Sequence, residues 1–374
     1  MIAMKIKVLI PLLVIMLWLP CAPVFAEEQA SIDTCCLTPL IDTPNNRIYW
    51  ETAKETIEKA TEEIQLMVAT AEVYPDYPAG LQRKLYEALQ GAQERGVKVK
   101  VILDTSSWSE HITETNRKSA EFLEDLGIRV RYDDPEVTTH SKVLIVDGDT
   151  LLLGSSNWNY PTYAETYQVN IKVQCPQVTS TYSQLFETLW KGGRVEFSHN
   201  VSFPPDEEKT VLVPLISTGE IRQYYQTVKS LIAEAEESLY VIMYRMGYYP
   251  NFEEGESNEL LQKLIDAGRR GVAVKVILEK SDWSESVNEL NEKTAWWLTM
   301  HNIPVRFDDP SVDTHMKIVV ADGESVILGS TNWSYYSLVK NNETDLLIHN
   351  QPQLARVFES FFKKYWKNCQ PVQD

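Results

Sequence analysis

Residues 140–158 read HSKVLIVDGDTLLLGSSNW, and residues 315–333 read HMKIVVADGESVILGSTNW. His, Lys, Asp-Gly, Gly-Ser and Asn-Trp recur at the same places, 175 residues apart. The local reading of either stretch is a hairpin. His140 and Lys142 are two apart and face one side of a strand. Val143–Val146 are all apolar, as in a strand buried on both faces. Asp147-Gly148 is a tight-turn signal. The returning strand then carries Gly154-Ser155-Ser156-Asn157 back to the end where His140 lies. One hairpin gathers an imidazole, an ammonium, hydroxyls and an amide at one edge. His315, Lys317, Asp322-Gly323 and Gly329-Ser330-Thr331-Asn332 repeat the arrangement.

The repeat extends well outside this phrase. PLIDT at 39–43 matches PLIST at 214–218, GVKVKVIL at 96–103 matches GVAVKVIL at 271–278, and Asp133-Asp134-Pro135 matches Asp308-Asp309-Pro310. About half the positions from Gly96 to Trp158 are identical to their partners. A period this long indicates two domain-sized lobes, whereas solenoids repeat every 20–50 residues or so. Each lobe alternates amphipathic helices with short apolar strands, which predicts α/β sandwich lobes with mixed sheets related by a pseudo-twofold axis. The expected organisation is a leader at 1–26, an arm at 27–38, lobe one at 39–199, a linker at 200–213 around Pro204-Pro205, and lobe two at 214–374.

The chain has 374 residues, 44% hydrophobic and 24% charged, an ordinary globular balance. Lys5 and Lys7, an apolar run and Val24-Phe25-Ala26 read as a cleavable secretory signal, which implies a secreted or periplasmic protein, or a membrane-anchored one if uncleaved. Net charge is −18 and becomes more negative once Lys5 and Lys7 are removed. That field repels phosphate polymers at long range and disfavours a non-specific nuclease. Cys35, Cys36, Cys175 and Cys369 remain after cleavage. Vicinal cysteines rarely bridge each other, so Cys35 and Cys36 are expected to reach separately to Cys175 and Cys369.

The paired units suit phosphate-ester chemistry. Lysine and asparagine hold non-bridging oxygens, and histidine near neutrality serves as nucleophile or acid. Displacement at phosphorus needs groups on opposite sides, so each repeat supplies half a site. Of the six histidines, only His140 and His315 are matched at the 175 offset. Preserved packing alone would not select ionisable residues at both places.

At these residues the chain resembles the phospholipase D superfamily, which carries two copies of H-x-K-x4-D-x6-G-S-x-x-N. Both copies are complete: His140, Lys142, Asp147, Gly154, Ser155, Asn157, and His315, Lys317, Asp322, Gly329, Ser330, Asn332. The resemblance implies a phosphoric diester hydrolase working through a covalent phosphohistidine, without metal or cofactor. It implies His140 as nucleophile and His315 as acid and base, with the reverse assignment left open. Lys142, Lys317, Asn157 and Asn332 would hold phosphoryl oxygens, while Asp147, Asp322, Ser155 and Ser330 support the site. A downstream glutamate would orient each imidazole. Glu343 is expected to serve His315 and Glu165 to serve His140, although Asn157–Glu165 spans eight residues and Asn332–Glu343 eleven, as if lobe one were three residues shorter.

Substrate class stays open between two readings. The first is a phospholipid, releasing head group and phosphatidic acid, with transient contact at a membrane surface. Export, acidity and the aromatic loops (Tyr74, Tyr77, Tyr160, Tyr163, Tyr244, Tyr248, Tyr249, Tyr335, Tyr336) favour it. The second is an exported nuclease cleaving DNA or RNA, with Lys98, Lys100, Lys118, Arg129 and Arg131 as a local basic patch. A phosphatidyl-transfer enzyme such as a cardiolipin synthase ranks behind both, because residues 27–374 hold no long apolar span. Oligomeric state is not legible.

Overall fold

The computed structural model describes residues 35–74, 80–195, 210–252 and 254–372. The expected leader at 1–26, most of the arm and most of the linker lie outside the described residues, as does Tyr77. Lobe one runs β1 (Cys36–Asp42), α1 (Ile48–Glu58), β2 (Glu63–Val68), α2 (Leu81–Glu94), β3 (Lys98–Leu103), α3 (Glu110–Asp125), β4 (Arg129–Tyr132), β5 (Lys142–Val146), β6 (Thr150–Gly154), α4 (Tyr160–Ala164), β7 (Gln168–Gln174) and α5 (Pro176–Trp190). Lobe two repeats the order with β8 (Val211–Ser217), α6 (Gln223–Glu234), β9 (Ser238–Met243), α7 (Glu256–Arg270), β10 (Ala273–Leu278), α8 (Glu285–Met300), β11 (Val305–Phe307), β12 (Lys317–Ala321), β13 (Ser325–Gly329), α9 (Tyr335–Val339), β14 (Glu343–His349) and α10 (Pro352–Asn368), then adds β15 (Gln370–Pro371).

The sheet of lobe one is ordered β1-β7-β6-β5-β2-β3-β4, and that of lobe two β15-β11-β10-β9-β12-β13-β14-β8. In lobe one β2, β3 and β4 are parallel and the remaining pairs antiparallel, so the sheet is mixed as expected. All five residues of β5 and of β12 are buried, and their alternation explains why. Val143 and Ile145 enter a core shared by both lobes, while Leu144 and Val146 enter the outer core of lobe one. Ile318 and Val320 likewise join the shared core, and Val319 and Ala321 the outer core of lobe two. Strands covered on both faces must be apolar at every position.

The shared core also takes Tyr182 and Phe186 of α5 and Phe358 and Phe362 of α10. The layers therefore run helices, sheet, α5 with α10, sheet, helices. Side chains of this size fully withdrawn from water contribute about 2–3 kcal/mol each before entropy is counted, so the lobes form one body.

The structure moves several boundaries. The edge strand β1 begins at Cys36, inside the expected arm, and β8 begins at Val211, inside the expected linker. Both pair with the strand following the small helix, β1 with β7 and β8 with β14, so they complete their sheets. Cys35 bridges Cys175 as expected, stapling β1 to the start of α5. The second expected bridge is absent, since Cys36 is exposed and free and Cys369 is buried and free. Cys36 lies on the β1 edge of lobe one, while Cys369 follows α10 and precedes β15 at the far edge of the other sheet.

Candidate active site

The hairpin turns lie at one end of β5 and β12, and the histidines at the other. Asp147 and Asp322 adopt φ of 51° and 52°, followed by Gly148 and Gly323 at 70° and 65°. Positive φ at both central residues makes a turn that follows strand twist. The Asp147 carboxylate accepts from the backbone N–H groups of Thr61, Glu62 and Glu63 at 2.8, 2.8 and 3.1 Å. Asp322 does the same for Glu236, Glu237 and Ser238. A five-residue strand separates these aspartates from the histidine end by roughly 15 Å. Their role is to tie the hairpin to the start of β2 or β9.

The returning strands need glycine for a different reason. A Cβ on Gly154 would stand 2.3 Å from the Val169 carbonyl oxygen, and one on Gly329 would stand 2.4 Å from that of Thr344. The close approach lets Ser155 and Ser330 turn into the site. The Ser155 hydroxyl donates to Gln168 Oε1 at 2.6 Å, and that of Ser330 to Glu343 Oε2 at 2.5 Å.

Each histidine is then held by the opposite lobe. His140 donates its backbone N–H to the Asn342 carbonyl at 2.9 Å, and His315 donates to Tyr167 at 3.0 Å. Short parallel bridges join Thr139 to Asn342 and Tyr167 to Thr314. The 175 offset converts one bridge into the other, which is the signature of a twofold, self-complementary contact. At the imidazoles the symmetry breaks. His140 Nδ1 lies 2.9 Å from Glu343 Oε2. His315 Nδ1 lies 3.0 Å from the Ser155 carbonyl and 3.3 Å from Gln168 Oε1. A carboxylate and a carbonyl oxygen only accept, so Nδ1 carries the proton in both rings and Nε2 is the free nitrogen.

Two of the expected pairings are thereby corrected. Glu343 serves His140, across the lobe boundary, instead of His315. Glu165 serves neither: it is exposed at the C-terminal cap of α4. The 175 register continues without deletion through β7 and β14, so the counterpart of Glu165 is Lys340 and that of Glu343 is Gln168.

The lysines complete the group. Lys142 Nζ donates to the His140 carbonyl, and Lys317 Nζ to that of His315 at 2.7 Å. Burial lowers Lys142 to about 8 against the pull of Glu343, Asp104 and Asp345. Burial and Lys142 together hold Lys317 well below the usual lysine range. Burial also lowers His140, with Glu343 opposing, and lowers His315 further, aided by Lys317, Lys142 and His140. Burial raises Glu343, but His140, Lys142 and Ser330 outweigh it and keep the carboxyl ionised. The two histidines and two lysines lie close enough to disfavour one another's charged forms. Asn157 and Asn332 add buried side-chain oxygens with no partner among the described residues. These oxygens only accept, so any contact with phosphoryl oxygens falls to the Nδ2 groups.

An anion entering this site restores the lysine charge. Binding of inorganic phosphate near pH 8.5, above the Lys142 midpoint, is therefore expected to take up about one proton per site. Calorimetry in buffers of different ionisation heat measures the uptake, and a binding heat independent of buffer would contradict it.

Several participants carried no motif label. Asn116 and Asn291, which are 175 apart, each clamp the loops after two strands. Asn116 accepts from Ala71 N–H and donates to the Ala69 and Asp104 carbonyls, and Asn291 mirrors it at Met246, Tyr244 and Glu279. Asp104 and Glu279 accept the N–H of Thr139 and Thr314, the residues just before the histidines, at 2.7 and 2.5 Å. Tyr244 packs its ring 4.7 Å from that of His315. It is one of the aromatic loop residues named from the sequence, and its counterpart in lobe one is Ala69. Among the described residues no group of three or more His, Cys, Asp or Glu side chains is placed to hold a metal ion.

Comparison with known proteins identifies the family and the fold. A family model described as cardiolipin synthase, PLD-like domain, matches residues 53–190 and again 228–366. The chain is 23% identical over 336 residues to phospholipase D Z of Dictyostelium discoideum, covering 79% of this chain and 77% of that one. It is 22% identical over 383 residues to cardiolipin synthase A of Escherichia fergusonii, covering 92% and 76%. The solved phosphatidylserine synthase of Haemophilus influenzae shares the fold, with a TM-score of 0.68 at 14% identity over 90% of this chain and 87% of that one. With two complete copies matched across most of its length, the chain belongs to the phospholipase D superfamily of phosphodiesterases.

Proposed function

We propose that this protein hydrolyses the head-group phosphodiester of a phospholipid in two steps. The observation that carries the chemistry is the crossed arrangement of His140 and His315, each held by the opposite lobe beside a buried lysine. In the first step His140 Nε2 attacks phosphorus. The P–N bond forms as the bond to the leaving oxygen breaks, and that oxygen takes the Nε2 proton of His315, whose ring enters this step doubly protonated because the bound anionic diester favours its charged form. In the second step water attacks phosphorus and gives its proton to His315 Nε2. The P–N bond breaks and its electron pair returns to His140. Lys142 and Lys317 offset charge on the phosphoryl oxygens. Positive charge builds on the attacking ring and leaves the proton donor during the first step. A carboxylate beside the nucleophile lowers that barrier, whereas one beside the acid would raise it. Glu343 on His140 therefore supports His140 as nucleophile.

Lipid is favoured over nucleic acid on three grounds. The chain carries a net charge of −18. Curated relatives bear the names phospholipase D and cardiolipin synthase. The loops at the strand ends that carry the site expose Trp108, Phe252, Trp283 and Tyr336, and such rings suit a bilayer interface. Within the basic patch considered for a nuclease, Lys100 is paired with both Glu63 and Glu187, Lys118 with Glu114, and Arg131 packs on Trp190. The Cys35–Cys175 bridge supports an exported protein in an oxidising compartment. Transfer of the phosphatidyl group to an alcohol is the second reading, supported by the cardiolipin-synthase description of the family model. No helix among the described residues is long and apolar enough to cross a membrane.

The deciding assay sets purified protein against phosphatidylcholine liposomes, the same liposomes with added glycerol, and single-stranded DNA, each with and without EDTA. Phosphatidic acid from the first arm, retained in EDTA, is the expected result. Phosphatidylglycerol as the main product would establish transfer, and DNA cleavage without lipid turnover would overturn the lipid reading.

A further inference from the structure

The two imidazoles have unequal partners at equivalent positions. Glu343 and Gln168 are 175 apart, each is fully or nearly fully buried, and each accepts a serine hydroxyl from the preceding hairpin. Each also accepts from or donates to a polar neighbour two residues before it, Asn341 for Glu343 and Thr166 for Gln168. The frame is the same, and only the charge differs. Around His315 stand His140, Lys142 and Lys317, all cationic when protonated, and the ring of Tyr244. The acids of its own lobe, Glu279 and Asp313, act on Lys317, and Glu343 is committed to His140. His315 thus has alignment without an ion-pair partner among the described residues.

We propose that Gln168 is a positioning residue that makes the two half-reactions unequal, so that attack by His140 is fast, release by water is slow, and the phosphoryl group accumulates on His140. The inference rests on the two-step reading above. During attack, Glu343 stabilises the cation that forms on His140, and His315, with only neutral acceptors at Nδ1, gives up its proton readily. During release the same features act in reverse. Glu343 stabilises the phosphorylated ring that must be discharged, and His315 is a weak base toward water because no carboxylate supports the charge it gains.

Rapid quenching with bis-p-nitrophenyl phosphate tests this. Wild-type protein is expected to release about one equivalent of p-nitrophenolate in a burst, with the phosphoryl adduct located on His140 by mass spectrometry after alkaline quench. Q168E should shrink the burst and move the acid limb of the steady-state pH profile, where His315 must be unprotonated to act as base, up by about one unit or more. The exchanged variant Q168E/E343Q keeps the total charge and should move the adduct to His315. A wild-type protein with turnover but no burst, or a Q168E profile superimposable on wild type, would overturn the proposal. Titration of His315 by NMR supplies a readout independent of turnover. Q168E should raise its midpoint by about one unit or more, and an unchanged midpoint would dismiss Gln168 even in a protein that cleaves no diester. A shifted midpoint without any diester cleavage would instead refute the phosphodiester reading and the burst built on it.

Discussion

Alanine at His140 is expected to remove turnover of bis-p-nitrophenyl phosphate by about 10⁴-fold or more, together with any burst. Alanine at His315 is expected to remove steady-state turnover to a similar extent but to leave a stoichiometric burst. The difference comes from the leaving group. p-Nitrophenolate departs without needing a proton, so attack by His140 survives, while release still requires a base for water. The double variant should be no worse than His140→Ala, because groups acting in one sequence of steps do not contribute independently. His140 is only half-buried and His315 is buried, and circular dichroism should show both variants folded. Full activity in either single variant would refute the shared site.

Glu343→Ala is expected to be the most damaging single change to stability in the site. Its carboxylate is wholly buried and accepts from His140 Nδ1 at 2.9 Å, Ser330 Oγ at 2.5 Å and Asn341 Nδ2 at 3.1 Å. Removing it strands three polar groups beside two buried lysines, a loss of about 3–5 kcal/mol. The pH dependence has a definite sign. The folded protein holds Glu343 below the ordinary carboxylate range. Its contribution is therefore complete above the unfolded value of about 4.3 and fades as pH falls through the folded value. Urea unfolding at pH 7 should show the full penalty, and at pH 4 a smaller one. Equal penalties at both pH values would show that packing, not charge, is what Glu343 supplies. Glu343→Gln keeps the shape and should cost only about 1 kcal/mol in stability, while lowering the rate of attack.

The corrected glutamates show how a close reading of one lobe goes astray. Glu165 is the acid that follows Asn157, and pairing it with Glu343 implies a three-residue deletion in lobe one. The register contains no deletion: β7 and β14 begin at Gln168 and Glu343. The signal was in the offset itself, but it points to a residue of a different type, and a search for a carboxylate passes over an amide. Tyr244 is legible as one of the aromatic loop residues, but its place against the His315 ring is not, since its counterpart is Ala69. The second disulfide was expected from cysteine count, which carries no information about which sheet edges are neighbours.

From the sequence alone follow the two lobes, the mixed α/β sheets, and the gathering of His, Lys, Ser and Asn at one strand end with the turn aspartates at the other. These depend on contacts a few residues apart: the period of two along a strand and the positive-φ turn at Asp-Gly. Which partner each imidazole takes is decided by contacts across the lobe boundary. They arise only when the inner faces of both sheets close on α5 and α10, and no local periodicity encodes that docking. The fold therefore makes one lobe's histidine depend on the other lobe's β7 or β14, and the single difference between Glu343 and Gln168 makes two nearly identical halves chemically distinct.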